Sequence, residues 1–460
     1  MIKWLLRIAV FSSTITIAAL VVIYYGFQAS LPDIEGDINL TGITSSVSID
    51  RDQQGGATIS GQNRDDLAFA TGYVHAQERF FQMDLSRRMA AGELSELFGA
   101  LAVDTDKNNR LHQFRHRASI ALEHVSDDDK KVLSKYVEGV NIGLERLKSK
   151  PFEYWLLGAQ PQPWTQEDTF LVIYSMFFTL QSSDGGFEWQ NHVLRKSLSP
   201  ELAAFLLPDR TEWDAPMQED EASYIKAEIP TAPSDGSKAV AFDRDNSPMI
   251  GSNNWAVSGQ LTETGAAMLS NDMHLAIRAP SIWYKVRLKL EDNSLDITGV
   301  SLAGAPPVVV GSNGSVAWGF TNSNIDTSDL IELSINPQNK DQYLTPQGYK
   351  DFDVIEEEIK VTGLPNETLS FQQTIWGPVI DKGQNGKYAF RWVAHMPDGV
   401  NASLLKMEQV KTVEEAMNIA ANMGIPAQNA MLVDKDGNAG WTIFGKIPRR
   451  PNGDYLNIYN

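Results

Sequence analysis

The sequence contains no cysteine among its 460 residues. That absence excludes disulfides, thiolate metal sites and a cysteine nucleophile together. Histidine is scarce as well, at seven residues. None falls in a His-Glu-x-x-His pair, so a catalytic zinc lacks support. Basic residues are outnumbered: 39 Lys and Arg stand against 58 Asp and Glu, a formal net charge of −19. Phosphate backbones are bound by clustered cations, so nucleic acid is not an expected partner. No repeat of fixed period runs along the chain.

What is present is globular, with 42% hydrophobic and 21% charged residues. The chain is long enough to bury a large core, as one large domain or a few. At the N-terminus, Lys3 and Arg7 precede an apolar run over 8–27. Crossing a bilayer as a helix takes about 20 residues. Gln28, Ala29 and Ser30 make a poor cleavage site, so residues 1–30 read as a signal anchor in preference to a cleaved signal peptide. The positive charges on the N-terminal side place the rest outside the cytoplasm. The expected location is the periplasmic side of the inner membrane, or the periplasm or medium if the segment is cut.

The region 31–225 reads as mainly helical. Asn63 can cap a long helix that starts with Asp65 and Asp66 and is punctuated by Gly92 and Gly99. Ser126 with its acidic followers opens a second helix, which Pro151 follows. Thr165 and Asp168 form a capping-box-like start to a third, very apolar helix reaching Leu180. From 252 onward the pattern turns to short strands, interrupted by one helix between Thr412 and Gly424. Helices first and strands later predict an α+β layered enzyme. The stretch at 455–459 is apolar and abrupt, so the sequence reads as a fragment.

Between these halves lies a polar stretch over 231–248, followed by Gly251, Ser252, Asn253, Asn254 and Trp255. The residues alone leave two readings. Ser252 can simply open a half-buried strand. Alternatively, breaking the Gly251–Ser252 bond gives Ser252 a free α-amine, titrating at roughly 7.7–8.0, so that one residue holds both nucleophile and base.

Several ordered motifs resemble the penicillin acylase family of N-terminal-nucleophile hydrolases. They are the 71–99 run TGYVHAQERFFQMDLSRRMAAGELSELFG, PQPWT at 161–165, GSNNW at 251–255, NGSVAWGFTN at 313–322, PAQN at 426–429 and DKDGN at 434–438. The resemblance covers essentially everything after the anchor. It implies a four-layer αββα fold, incomplete at the C-terminus, in which 226–251 is a trimmed spacer and 252–460 begins a β-subunit. The implied cut falls between Gly251 and Ser252 and leaves a two-chain heterodimer.

Carried onto this chain, the family pattern makes Ser252 the catalytic nucleophile toward a linear amide such as a penicillin or an N-acyl-homoserine lactone. The backbone N–H of Asn322 supplies one oxyanion donor, and His274 positions the serine or assists processing. The second donor, an asparagine side chain, and its arginine partner are expected beyond residue 460. A structural calcium is implied at Asp326, Asp329, the Ser328 carbonyl and Glu188, hard oxygen donors of the kind this ion takes. Phe178 and Trp283 are implied as acyl-pocket walls, whereas His75 reads as a structural residue of the motif helix. The competing expectation is a catalytically inactive homologue acting as an envelope binding or scaffold protein.

Overall fold

The computed structural model describes residues 2–208 and 251–450. The expected spacer, apart from Gly251, lies outside the described residues, as do 209–225 and 451–460. The helices are α1 (Ile2–Ala29), α2 (Arg64–Ala91), α3 (Ser95–Phe98), α4 (Val103–Arg110), α5 (Phe114–Glu123), α6 (Asp127–Glu145), α7 (Phe152–Leu156), α8 (Gln166–Leu180), α9 (Gly186–Ser197), α10 (Pro200–Leu206) and α11 (Val413–Ala420). The first strands are β1 (Ser48–Arg51), β2 (Ala57–Gly61), β3 (Asn253–Val257), β4 (Met268–Asp272), β5 (Trp283–Leu290), β6 (Asp296–Leu302), β7 (Val308–Ser312), β8 (Val316–Asn322) and β9 (Ser328–Glu332). Then come β10 (Gln342–Thr345), β11 (Gly348–Asp351), β12 (Asp353–Ile359), β13 (Glu367–Gln373), β14 (Val379–Asp381), β15 (Lys387–Trp392), β16 (Gln428–Asp434) and β17 (Ala439–Phe444). The class is α+β.

Helix boundaries follow local chemistry. The Asn63 side chain accepts the Asp66 N–H at 2.9 Å, satisfying an amide that the first turn leaves without a partner. At the other end Gly92 takes a left-handed conformation, φ 68°, and its N–H closes the last turn. Asp168 accepts the Thr165 N–H at 2.8 Å at the start of α8. The 28-residue α1 is apolar enough to cross a membrane and none of it is buried.

Helices α2 and α6 pack backbone to backbone. A Cβ on Gly72 would overlap the Tyr136 carbonyl, and one on Gly139 would overlap the carbonyl of Phe69. Only glycine permits that approach. The charged residues of the 71–99 motif have a structural use here. Buried Arg87 donates to Asp84 at 2.7 Å and to Asp168 at 2.7 Å, and Tyr154 Oη donates to Asp84 at 2.6 Å. Buried charges persist only when paired in this way, and these pairs tie α2 to α8 and α7.

The main sheet has eight strands in the order β1-β2-β5-β6-β7-β8-β16-β17. Strand β2 pairs in parallel with β5, Ala57 opposite Val286, so strands from both sides of the Gly251–Ser252 junction build one sheet. Leu67 and Val74 of α2, Ala416 of α11, and Leu288, Ile297, Trp318 and Leu432 of the sheet share one core. On the opposite side of β8 and β16 lies the two-stranded sheet β3–β4. The order helix, sheet, sheet follows that of the expected layered fold.

Candidate active site

Ser252 stands immediately before β3. Because β3 and β4 are antiparallel, with Asn253 opposite Asp272, the chain leaving β4 returns beside the serine. The His274 backbone N–H donates to Ser252 Oγ at 3.0 Å. Its imidazole turns elsewhere: Nε2 meets Asp272 Oδ2 at 2.7 Å. That contact holds the exposed Asp272 carboxyl below its ordinary range. His274 is therefore next to the serine, as expected, but through its main chain.

Two asparagines to which the motifs alone give no role fasten this ribbon to the main sheet. Asn271 Nδ2 donates to the carbonyls of Asn253 (3.0 Å) and Phe320 (2.9 Å), and its Oδ1 accepts the Phe320 N–H at 3.0 Å. Asn254 Nδ2 donates to the carbonyls of Gly319 and Asn429, both at 3.2 Å. A signal was available: amides standing in otherwise apolar strands must find partners when the strand is covered. Asn322 ends β8 near the serine, and its side chain donates to the Leu180 carbonyl at 2.8 Å and to Asn324 Oδ1 at 3.0 Å.

Ser252 and Asn322 line one cavity. Its walls are otherwise mostly apolar: Ile173, Met176 and Leu180 of α8, Trp283, the turn Ala305–Pro307, Val309 and Ile425. Such a wall favours an apolar guest. Trp283 is part of this lining, and among the described residues its buried Nε1–H has no partner. Phe178 does not line this cavity. It lies on the other side of α8, against His112, Phe114 and Trp392. The correction has a simple cause: α8 is apolar on nearly every side, so spacing alone cannot tell which face meets the cavity.

The expected calcium residues gather away from the serine. Ser328 Oγ donates to Glu188 Oε1 at 2.8 Å. The Arg450 guanidinium donates to Asp329 Oδ1 (2.9 Å), to the Ser328 carbonyl (3.0 Å) and to the Asp326 carbonyl (3.2 Å). Among the described residues, Glu188 Oε2 and Asp326 Oδ2 are buried without hydrogen-bond partners. Burial, helped by the neighbouring carboxylates, pushes the Glu188 carboxyl up to about 7. Burial also raises Asp326 to about 6, against the pull of Arg450. The donors are all hard oxygens with two left over, which suits calcium. Among the described residues, however, no three carboxylate or imidazole groups converge as a metal-binding cluster, and Arg450 already supplies a positive charge.

Comparison with known proteins agrees with the motifs. The sequence profile of the penicillin amidase family matches residues 46–458. The chain belongs to that family. It is 28% identical over 452 residues to the acyl-homoserine lactone acylase QuiP of Pseudomonas aeruginosa, covering 93% of this chain and 52% of that protein. It is 27% identical over 441 residues to the penicillin acylase 2 proenzyme of Pseudomonas sp. strain SE83, covering 92% and 55%. With the penicillin G acylase of Escherichia coli the identity is 22% over 466 residues, covering 89% and 55%. The chain thus spans about half the length of the curated relatives it matches. A solved thermostable penicillin G acylase from Alcaligenes faecalis overlays with TM-score 0.40 and 24% identity, covering 44% of this chain and 36% of that chain.

Proposed function

We propose that this chain belongs to a membrane-anchored amidohydrolase that is made as a precursor and cuts itself between Gly251 and Ser252. The observation that carries this reading is the Ser252 hydroxyl, held by the His274 N–H at 3.0 Å and facing an apolar cavity directly after the junction. Gly251 is exposed, and among the described residues, its chain neighbours aside, nothing stands within 4 Å of where its Cβ would be. Once cut, the freed α-amine takes the hydroxyl proton as Ser252 Oγ attacks the amide carbonyl. The carbonyl oxygen gathers negative charge, and the Asn322 backbone N–H is one of its donors. The C–N bond then breaks, the amine leaves with a proton, and water releases the acid from the acyl-serine ester.

The apolar lining suits a fatty or aromatic acyl group, in line with the acyl-homoserine lactone and penicillin named for the relatives. After processing the two chains remain together as a heterodimer, because β2 and β5 pair across the junction and share one core. Segment α1 anchors the protein with its body on the periplasmic side. A structural calcium would be held by Glu188, Asp326, Asp329 and the Ser328 carbonyl. There it would neutralise buried carboxylates and tie the two chains, with no part in the chemistry.

The test is intact mass and N-terminal sequencing of the protein expressed from its complete gene, beside a Ser252→Ala variant. Two chains, one beginning Ser-Asn-Asn-Trp, and an uncut variant are the expected result. A wild-type chain that stays uncut across pH and calcium conditions would sink the mechanism and favour a binding or scaffold protein.

A further inference from the structure

His75 lies in the signature helix and has no part in the chemistry proposed above, yet it sits at the centre of a buried polar chain. His75, Tyr136 and Ser301 are each fully buried. Tyr136 Oη is 2.8 Å from His75 Nδ1, and His75 Nε2 is 3.1 Å from Ser301 Oγ. The Gly304 backbone N–H donates to Tyr136 Oη at 2.9 Å, and Ser301 Oγ donates to the Tyr284 carbonyl at 3.4 Å.

The ends of this chain fix its direction. An amide N–H can only donate and a carbonyl can only accept. Gly304 therefore donates to Tyr136, whose hydroxyl hydrogen must go to His75 Nδ1. His75 then carries its proton on Nε2 and passes a bond to Ser301, which donates to Tyr284. Each polar atom is satisfied only with a neutral imidazole in that one tautomer. Burial keeps the imidazole neutral, lowering its pKa to about 3.

What the chain holds is the turn between β6 and β7. Ala305, Pro306 and Pro307 in that turn line the Ser252 cavity. The β6–β7 register shifts between Val300 and Ser301, so the strand ladder is irregular just before the turn. Gly304 has φ +111°, and a Cβ there would press within 2.6 Å of Val172 on α8. The turn is thus pinned at Gly304, from α6 by Tyr136 and against α8 by close contact. The backbone approach of α2 and α6 in turn sets where His75 meets Tyr136.

We infer that Tyr136, acting with His75 and Ser301, is a positioning residue that holds the 303–307 turn as a wall of the acyl pocket and thereby sets the acyl length accepted. The inference rests on reading that cavity as the acyl site, and it assigns these residues no contact with the reacting atoms.

The test uses the complete, processed protein as wild type, Tyr136→Phe, Ser301→Ala and Ser301→Thr. Calorimetry reads the affinity for hexanoate, decanoate and tetradecanoate, and the matching acyl anilides give kcat and KM. Tyr136→Phe and Ser301→Ala are expected to change the ratio of affinities between the best and worst chain by about tenfold, the weight of one buried hydrogen bond. The change should appear in KM more than in kcat, and Ser301→Thr, which keeps the hydroxyl, should restore the ratio. If Tyr136→Phe does not fold, Ser301→Ala carries the test alone, since it removes only the far end of the chain. Variants that melt lower yet keep the wild-type length ranking overturn the inference. A wild type that cleaves no anilide refutes the amidase reading, while carboxylate binding still tests the wall. A wild type that binds no carboxylate overturns the wall as well.

Discussion

His274 reaches Ser252 through its backbone, not its ring: the N–H donates to Oγ at 3.0 Å while Nε2 pairs with Asp272 at 2.7 Å. A side-chain base at this position would show the reverse. The relationship follows from the β3–β4 hairpin, which returns the main chain, and not any chosen side chain, to the serine.

The first prediction separates these two roles. His274→Ala keeps the N–H, so self-cleavage should slow by less than about tenfold. His274→Pro removes the donor and should slow it by a further tenfold or more, about the value of one hydrogen bond to the reacting group. Time courses of precursor loss on gels decide it, with melting curves as a folding check. Equal, severe losses in both variants would instead make the imidazole the important group.

The pH dependence of stability should carry the mark of the buried histidines. His112 Nδ1 lies 2.9 Å from His395 Nε2 inside an aromatic cluster. Burial, with Arg117 nearby, lowers His112 to about 3 and moves His395 in the same direction, and His75 is also at about 3. Unfolded histidine titrates near 6.5, so below about pH 6.5 the unfolded chain binds protons that the folded chain refuses. The histidine contribution to stability is therefore complete above that pH and falls as pH drops toward 3, by about 1.4 kcal/mol per pH unit for each histidine. Urea midpoints measured down this range should flatten in a His112→Gln, His395→Gln double variant. An unchanged slope would contradict the burial argument.

Gly139→Ala should destabilise by about 2 kcal/mol, because overlap with the Phe69 carbonyl outweighs the roughly 1 kcal/mol gain in helix propensity. Chemical unfolding measures it. A stabilised variant would mean that α2 and α6 can separate without loss.

Calcium should raise the melting temperature of the complete processed protein, and chelation should lower it. Glu188→Ala and Asp326→Ala should each remove the response. Metal analysis of the purified protein that finds no calcium, together with an unresponsive melting curve, would refute the calcium site and leave Arg450 as a counter-charge of that cluster.

Much of this was legible before folding. Asn63, Asp168, Thr412 and Gly92 act through hydrogen bonds to residues a few positions away, so their effect on helix ends is written in short spacings. The Gly251–Ser252 junction stood out as a candidate for the same reason, since the chemistry proposed for it belongs to two adjacent residues. The anchoring roles of Asn254 and Asn271 were not legible, because their partners lie on strands about 50 to 175 residues away along the chain.

The sequence by itself determined the α+β class and the starts of the long helices. Both depend on local hydrogen bonding, periodicity or covalent order. Only the tertiary structure decided that Ile173, Met176 and Leu180 face the cavity while Phe178 joins His112 and Trp392. It alone also decided that His75 reaches, through Tyr136, the turn at Gly304. An apolar helix has no preferred side until its neighbours are in place, and a buried hydrogen bond has no partner until two distant segments meet.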